Sequence, residues 1–193
     1  MQYNLTPYSK AIEPFVWIDD VFTEQELNWL QDSAQKAEGK GYIGGDGSGI
    51  IDANIRRCNL TWLNNNPNTH WVFEKLANAV STLNAQFYNF DLTGFGEALQ
   101  LTNYDQAEKG MYGWHQDYGG KISRKLSLVV QLTDPSRYEG GNLQILTTGE
   151  PSTVRKQRGL VCVFPSYTLH QVTPVTSGTR QSLVAWVSGP AFK

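Results

Sequence analysis

Residues 160–187 read LVCVFPSYTLHQVTPVTSGTRQSLVAWV. They contain three short runs of β-branched and aromatic residues, 160–164, 171–174 and 182–187, separated by Pro and Gly. This is the pattern of strands joined by turns. The same pattern predicts earlier strands at 97–104, 126–132 and 142–146. Many short strands at this spacing predict a sandwich or a barrel.

The first half of the sequence predicts two helices. Thr23 and Glu26 have the spacing of a capping box, and apolar residues then recur at helical spacing, which predicts a helix over 24–38. A second helix is predicted from Pro67 to about Asn89. Two further strands are predicted here, at 15–18 and 55–63.

Two helices followed by many strands predict an α+β fold that is mainly β. We expect a double-stranded β-helix of the jelly-roll and cupin type, with the N-terminal helices packed on one sheet. The sequence is interpreted as a single domain over 1–193, with a helical support region over 1–95 and a jelly-roll core over 96–190.

Composition narrows the class of protein. The chain has 193 residues, of which 40% are hydrophobic, and a net charge of −2 at pH 7. These values are typical of a globular domain and argue against a nucleic-acid partner. The N-terminus lacks the pattern of a secretory signal, and no apolar run approaches the length of a membrane span. We therefore expect a cytoplasmic protein without a membrane partner, with Cys58 and Cys162 reduced.

Two of the three histidines lie in a pattern that suits a metal. His115 and Asp117 are two residues apart, so on an extended segment they point to the same side. His170 follows an apolar strand and supplies a second imidazole. Two histidines and one carboxylate form the facial triad that binds Fe(II) and leaves positions open. His70 has no carboxylate at ligand spacing and is interpreted as a surface or capping residue.

A candidate receptor for a carboxylate follows the last histidine. Arg180 and Ser182 face the same way on a strand, and a guanidinium fork beside a hydroxyl suits a planar carboxylate. Trp186 has the same parity and is expected either to line the same cavity or to pack in the core. Tyr104 adds a phenol that is able to donate to a carboxylate.

Several segments together resemble a known family. These segments are 101–104, 111–117, 126–132, 139–143, 164–175 and 178–183. In this order they resemble the 2-oxoglutarate and Fe(II)-dependent oxygenases, with a closer similarity to the branch of prolyl 4-hydroxylases and PKHD-type hydroxylases. The resemblance covers most of residues 98–190, and the first 95 residues match in outline only.

The resemblance implies a role for each candidate residue. His115, Asp117 and His170 would bind Fe(II). The distal carboxylate of 2-oxoglutarate would pair with Arg180, helped by Tyr104, Ser182 and Gln131. The resemblance also implies O2 as the second co-substrate and ascorbate as a supporting reductant. Collagen-type prolyl 4-hydroxylases usually carry Lys where Arg180 stands, which puts a collagen-like substrate in doubt.

The implied activity is hydroxylation of a prolyl residue in a peptide or protein, with release of succinate and CO2. Alternatives are a hydroxylase of a free amino acid or small metabolite, and a non-catalytic jelly-roll module that binds a metal or ligand. Trp186, Arg56 and Arg57 are candidates for the substrate pocket, although neighbours on a strand face opposite sides. The glycine-rich stretch 39–49 is expected to be a surface loop or a lid over the substrate.

Overall fold

Two antiparallel β-sheets and two α-helices make up the described part of the chain. The computed structural model describes residues 12–192 without 37, 42, 44–48 and 120. The strands are β1 (Val16–Ile18), β2 (Gly39–Lys40), β3 (Arg56–Arg57), β4 (Asn59–Leu63), β5 (Gly94–Phe95), β6 (Leu99–Asp105), β7 (Met111–His115), β8 (Arg124–Gln131), β9 (Tyr138–Gly140), β10 (Leu143–Leu146), β11 (Ser152–Thr153), β12 (Val161–Pro165), β13 (Leu169–Val172) and β14 (Val175–Ser188).

The larger sheet has the strand order β1-β12-β8-β14-β6-β4-β2, with β5 and β9 also paired to β14. The smaller sheet has the order β11-β10-β13-β7-β3. A buried cluster between the sheets joins Tyr104, Val129 and Phe164 of the larger sheet to Leu143 and Val172 of the smaller one. The prediction of a mainly β, jelly-roll fold is confirmed.

The two helices are α1 (Glu24–Ala34) and α2 (His70–Leu83). The predicted capping box forms, since the Thr23 amide donates to the Glu26 carboxylate at 2.8 Å and the Glu26 amide donates to the Thr23 hydroxyl at 3.3 Å. The first helix ends four residues before the predicted boundary at residue 38. A wide helical turn over 84–88 extends the second helix to Tyr88, one residue before its predicted end, whereas its start at His70 lies three residues after the predicted Pro67.

The larger sheet is covered on both faces, and β8 illustrates why its sequence is apolar almost throughout. Leu126, Leu128 and Val130 belong to the buried cluster that includes the apolar faces of both helices. Side chains alternate along a strand, so Ser127 and Gln131 face the space between the sheets. The helices therefore pack on one sheet, as predicted, and the polar side chains of the other face point inward.

The predicted strand over 55–63 is divided between the two sheets. Arg56 and Arg57 pair with β7 in the smaller sheet, whereas residues 59–63 pair with β6 in the larger sheet. The chain crosses at Cys58, which is buried. A continuous run of strand-forming residues does not reveal such a crossing, because both halves satisfy the same local pattern.

The first 95 residues, predicted as a helical support region, also contribute strands to both sheets. The single domain over 1–193 stays a prediction. Of the glycine-rich stretch, 39–40 form β2 and Ile43 bridges Ile50, while 44–48 lie outside the described residues. Across the described ranges, no helix combines the length and apolar character needed to cross a membrane.

Candidate metal centre

His115, Asp117 and His170 come together at the open end of the space between the sheets. One ligand atom from each of them lies within 4.8 Å of the others. His115 Nε2 is 3.9 Å from Asp117 Oδ1, and His170 Nε2 is 3.5 Å from Asp117 Oδ2. The two histidines face each other because β7 and β13 are neighbours, with His115 paired to His170.

Backbone carbonyls orient both imidazoles. His115 Nδ1 is 2.8 Å from the Gly113 carbonyl oxygen, and His170 Nδ1 is 2.9 Å from that of Thr168. A carbonyl accepts hydrogen bonds and cannot donate them, so each Nδ1 carries a proton. With the proton on Nδ1, the nitrogen left to bind a metal is Nε2, the atom that faces Asp117.

Ser127 and Ser166 hold the carboxylate in place. The Ser127 hydroxyl donates to Asp117 Oδ2 at 2.7 Å and lies 3.0 Å from the Ser166 hydroxyl. Burial alone would raise the pKa of Asp117, but the two histidines and the Ser127 hydroxyl outweigh it and keep this pKa below its usual value. The carboxylate is therefore ionised at neutral pH, as a metal ligand must be.

Tyr112 packs flat against His115. The ring centroids are 3.5 Å apart with an interplanar angle of 16°. Burial, together with the nearby His170, lowers the pKa of His115 to about 3. At neutral pH the imidazole is thus uncharged and available to a metal without first losing a proton.

The same three side chains open into a cavity of about 350 Å³ between the sheets. Its far wall comes from alternate residues of β14, namely Arg180, Ser182, Val184 and Trp186. The volume lies in the usual range of small-molecule sites. The cavity therefore joins the triad to the predicted carboxylate receptor.

Arg180 is 1% exposed and is held by side chains of the larger sheet. One terminal nitrogen donates to the Gln131 side-chain oxygen Oε1 at 3.0 Å, and the other donates to the Ser182 hydroxyl at 3.3 Å. Its guanidinium carbon lies 5.4 Å from the centre of the Tyr104 ring. All four predicted co-substrate residues are thus brought together.

Tyr104 lines the cavity beside Arg180 and is fully enclosed by neighbouring residues. Burial raises the pKa of its phenol well above the usual range, against the opposing charges of Arg56 and Arg180. The phenol consequently keeps its proton at any physiological pH. It is a neutral donor placed next to a guanidinium, a pair suited to a carboxylate.

The three predicted substrate-pocket residues have different positions. Trp186 and Arg56 line the cavity, and the Arg56 guanidinium lies 4.5 Å from the centre of the Tyr112 ring. Arg57 lies outside it, because its guanidinium donates to the carbonyls of Ala53 and Lys109. Neighbouring residues on β3 face opposite sides, so only the first arginine reaches the cavity.

His70, the remaining histidine, lies at the first position of α2 with Nδ1 3.1 Å from the Asn65 side-chain oxygen. This is the surface position predicted for it, away from the triad. Both cysteines are buried and free.

Sequence reasoning missed Ser127 and Tyr112. A signal for Ser127 was present, because it shares the parity of Gln131 within an otherwise apolar strand. No comparable signal marked Tyr112. Between the pairs Tyr112–Val172 and His115–His170, two residues of β7 lie opposite one residue of β13, and this bulge turns Tyr112 towards the histidine.

The donor set fits a divalent transition metal. Two imidazoles and one carboxylate suit non-haem Fe(II), and the cavity side of the cluster leaves positions for further ligands. His115, Asp117 and His170 would hold the ion.

Comparison with known proteins agrees with this geometry. Residues 99–188 match the family described as the 2OG-Fe(II) oxygenase superfamily. A PKHD-type hydroxylase of Synechococcus elongatus is 30% identical over 179 residues, which is 89% of this chain and 77% of that protein. A PKHD-type hydroxylase of Prochlorococcus marinus is 40% identical over 87 residues, which is 44% of this chain but only 39% of that protein.

The fold also matches solved structures. A prolyl hydroxylase from Trichoplax adhaerens, in complex with a peptide fragment of the oxygen degradation domain of hypoxia inducible factor, superposes with a TM-score of 0.76. The match covers 91% of this chain and 84% of that one, at 14% sequence identity. At this identity the similarity concerns the fold.

Proposed function

Because the chain belongs to the 2OG-Fe(II) oxygenase superfamily, in its PKHD-type hydroxylase branch, we propose that it hydroxylates a prolyl residue in a peptide or protein. The reaction would use Fe(II), 2-oxoglutarate and O2 and release succinate and CO2. One observation carries the proposal. The triad of two histidines and an aspartate opens into the same cavity as the buried guanidinium of Arg180.

Each end of the cavity has its own task. His115, Asp117 and His170 bind the iron through Nε2 and carboxylate oxygens, which the contacts at Nδ1 and at Ser127 keep oriented. At the other end, Arg180 and the neutral phenol of Tyr104 receive the distal carboxylate of 2-oxoglutarate. When bound, the iron and its co-substrate supply the oxidising power that inserts one oxygen atom of O2 into a C–H bond.

The walls near the triad support a prolyl substrate. Tyr112 and Trp186 line the cavity, and the Arg124 guanidinium lies 3.9 Å from the centre of the Trp186 ring. A prolyl residue in a peptide is apolar and has no amide N–H, so aromatic walls suit it without a dedicated acceptor. The Trichoplax structure, a prolyl hydroxylase that holds a peptide, supports the same substrate class.

Arg56 is proposed as a contact for the substrate within the cavity. It lines the cavity next to Tyr112 and is 7% exposed. A guanidinium stacked on a phenol ring is held in one orientation, from which it can donate to a carbonyl or carboxylate of the bound chain.

The test measures succinate formed from 2-oxoglutarate by the Fe(II)-loaded protein, with ascorbate as the expected supporting reductant. A panel of proline-containing peptides is added, and mass spectrometry follows the gain of one oxygen atom. We expect turnover that a peptide stimulates and a matching gain in that peptide. His70→Ala serves as the matched control, because it removes a histidine outside the triad.

Other outcomes would redirect the assignment. Turnover without stimulation by any peptide would favour a hydroxylase of a free amino acid or small metabolite, which a cavity of about 350 Å³ is large enough to enclose. Iron binding with no turnover of 2-oxoglutarate would favour a non-catalytic module. Two buried free thiols, Cys58 and Cys162, support the proposal of a cytoplasmic location.

A further inference from the structure

Two polar atoms near the closed end of the cavity are buried without a conventional hydrogen bond. Arg180 Nε and the Tyr138 hydroxyl have no such partner among the described residues. The two side chains are 1% and 4% exposed. A buried donor or acceptor left unsatisfied is destabilising, so two of them in one place need a physical explanation.

The strand pairing brings the two groups to the same place. Tyr138 on β9 is paired with Gly178 on β14, two residues before Arg180. Gly141 lies between them. A Cβ atom at this residue would be 2.9 Å from Arg180 Cδ and 3.4 Å from Tyr138 Cε2. The absence of a side chain at this glycine lets the guanidinium and the phenol pack side by side.

A lysine also contacts the phenol ring. Lys156 Nζ lies 4.6 Å from the centre of the Tyr138 ring and donates to the Gly140 carbonyl at 2.6 Å. The ring thus contacts an ammonium group that is itself bound to the glycine turn bordering Arg180. This packing limits the directions in which the hydroxyl can point.

We propose that Tyr138 is a positioning residue for the co-substrate anchor, whose hydroxyl oxygen accepts a hydrogen bond from Arg180 Nε. This inference rests on the proposed function, because it assigns the anchor to 2-oxoglutarate. Burial raises the pKa of Tyr138, and the nearby charge of Arg180 opposes this rise. The phenol remains protonated and accepts through its lone pairs.

The hydrogen bond to Tyr138 decides which N–H groups of Arg180 remain for the co-substrate. A guanidinium has five N–H groups in a fixed planar fork. Gln131 takes one from a terminal nitrogen, Ser182 takes one from the other, and Tyr138 takes the one at Nε. One N–H then remains on each terminal nitrogen. In the proposed arrangement Gln131 and Ser182 take the inner N–H of each terminal nitrogen, so the two outer N–H groups are parallel and match the two oxygens of one carboxylate.

The experiment compares the wild-type protein with Tyr138→Phe by titrating 2-oxoglutarate into the Fe(II)-loaded protein without O2. We expect the dissociation constant to rise about tenfold, since one hydrogen bond that orients a charged group is lost. The affinity for iron and the turnover rate at saturating 2-oxoglutarate should not change. Tyr88→Phe is the matched control, because its buried phenol donates to the Val163 carbonyl at 3.0 Å, far from Arg180 in the pairing scheme.

A second ligand separates positioning from general damage. A 2-oxo acid with only one carboxylate lacks the group that Arg180 receives, so Tyr138→Phe should leave its binding unchanged. Lys156→Met keeps most of the side-chain stem and frees the ring, and we expect about a threefold loss of affinity for 2-oxoglutarate in a protein that retains Tyr138.

Unchanged 2-oxoglutarate affinity in Tyr138→Phe would overturn the inference, and so would an equal loss for the monocarboxylate. If Tyr138→Phe fails to fold, the Lys156→Met titration tests the inference instead. An unchanged affinity for 2-oxoglutarate in Lys156→Met would then overturn it. A wild-type protein that binds iron but does not bind 2-oxoglutarate would overturn the proposed function itself, and this inference with it.

Discussion

The two walls of the cavity are built differently. The smaller sheet contributes His115 and His170 from adjacent strands, and backbone carbonyls hold both rings. The larger sheet contributes Arg180 from β14, and side chains of other strands, such as Gln131, hold it. One wall therefore orients its ligands through local backbone geometry, and the other does so through a network between strands.

Burial follows the same division. The larger sheet is covered by both helices on its outer face and by the interior cluster on its inner face. The smaller sheet is more open, with Trp114 of β7 38% exposed. We infer that the anchor is preorganised by the fold alone, whereas the histidine wall gains much of its order when a metal joins its two strands.

The largest effect should come from breaking the metal wall. His170→Ala removes one of three ligands, so we expect loss of measurable iron binding and of turnover. Chelating the metal from the wild-type protein should lower its melting temperature, because the ion binds only the folded state. Titration calorimetry with Fe(II) and a melting curve measure both. Normal coupled turnover in His170→Ala would contradict the assignment of this histidine.

The next effect concerns the opposite wall. Arg180→Lys keeps the charge but loses the planar fork that Gln131 and Ser182 orient. We expect the KM for 2-oxoglutarate to rise about 10- to 100-fold, since hydrogen bonds to a charged group are lost. The melting-temperature gain on adding iron should stay as in the wild type. Arg155→Lys, at an exposed arginine stacked on Trp17, is the matched control.

If iron affinity fell as much as co-substrate affinity in Arg180→Lys, the two walls would not be independent. The comparison between them would then fail, even though the activity loss itself would look as expected.

A smaller effect should come from changing a side chain that orients a metal ligand without binding the metal itself. Ser127→Ala removes the donor to Asp117 Oδ2 and should weaken iron binding about 10- to 100-fold, as is usual for groups that orient metal ligands. Ser166→Ala acts one hydroxyl further away and should have less effect. Because β8 belongs to the larger sheet, equal affinities in wild type and Ser127→Ala would mean that this sheet does not help to orient the metal ligands.

The pH dependence of stability tests the metal wall without metal. His115 has a pKa of about 3 in the folded protein and an ordinary value of 6.5, so the unfolded chain binds a proton first as the pH falls. As the pH falls from about 6.5 to about 3, the free energy of unfolding of the metal-free protein should therefore decrease, and this residue contributes about 1.4 kcal/mol per pH unit. Denaturant titrations at several pH values measure it, and His115→Gln should flatten the slope.

How far the sequence predicts the site depends on which wall a residue occupies. Arg180, Ser182 and Trp186 share one parity on one strand, so alternation alone places them together. The role of Tyr112 depends on a bulge in β7, and the crossing at Cys58 depends on which sheet each half of a strand joins. Such features arise from pairing between distant segments, so they cannot be predicted from the local sequence pattern.

The smallest effect concerns the two neighbours on β3, at the edge of the smaller sheet. Arg57→Met breaks two hydrogen bonds to backbone carbonyls outside the cavity and should cost about 1 kcal/mol of stability, with the KM for peptide unchanged. Arg56→Met removes a guanidinium that lines the cavity and should raise this KM severalfold. Peptide kinetics and thermal melts on both variants separate the two arginines. Since the two arginines differ in the side of the strand that they occupy, equal effects on peptide KM would mean that the cavity does not select the substrate through Arg56.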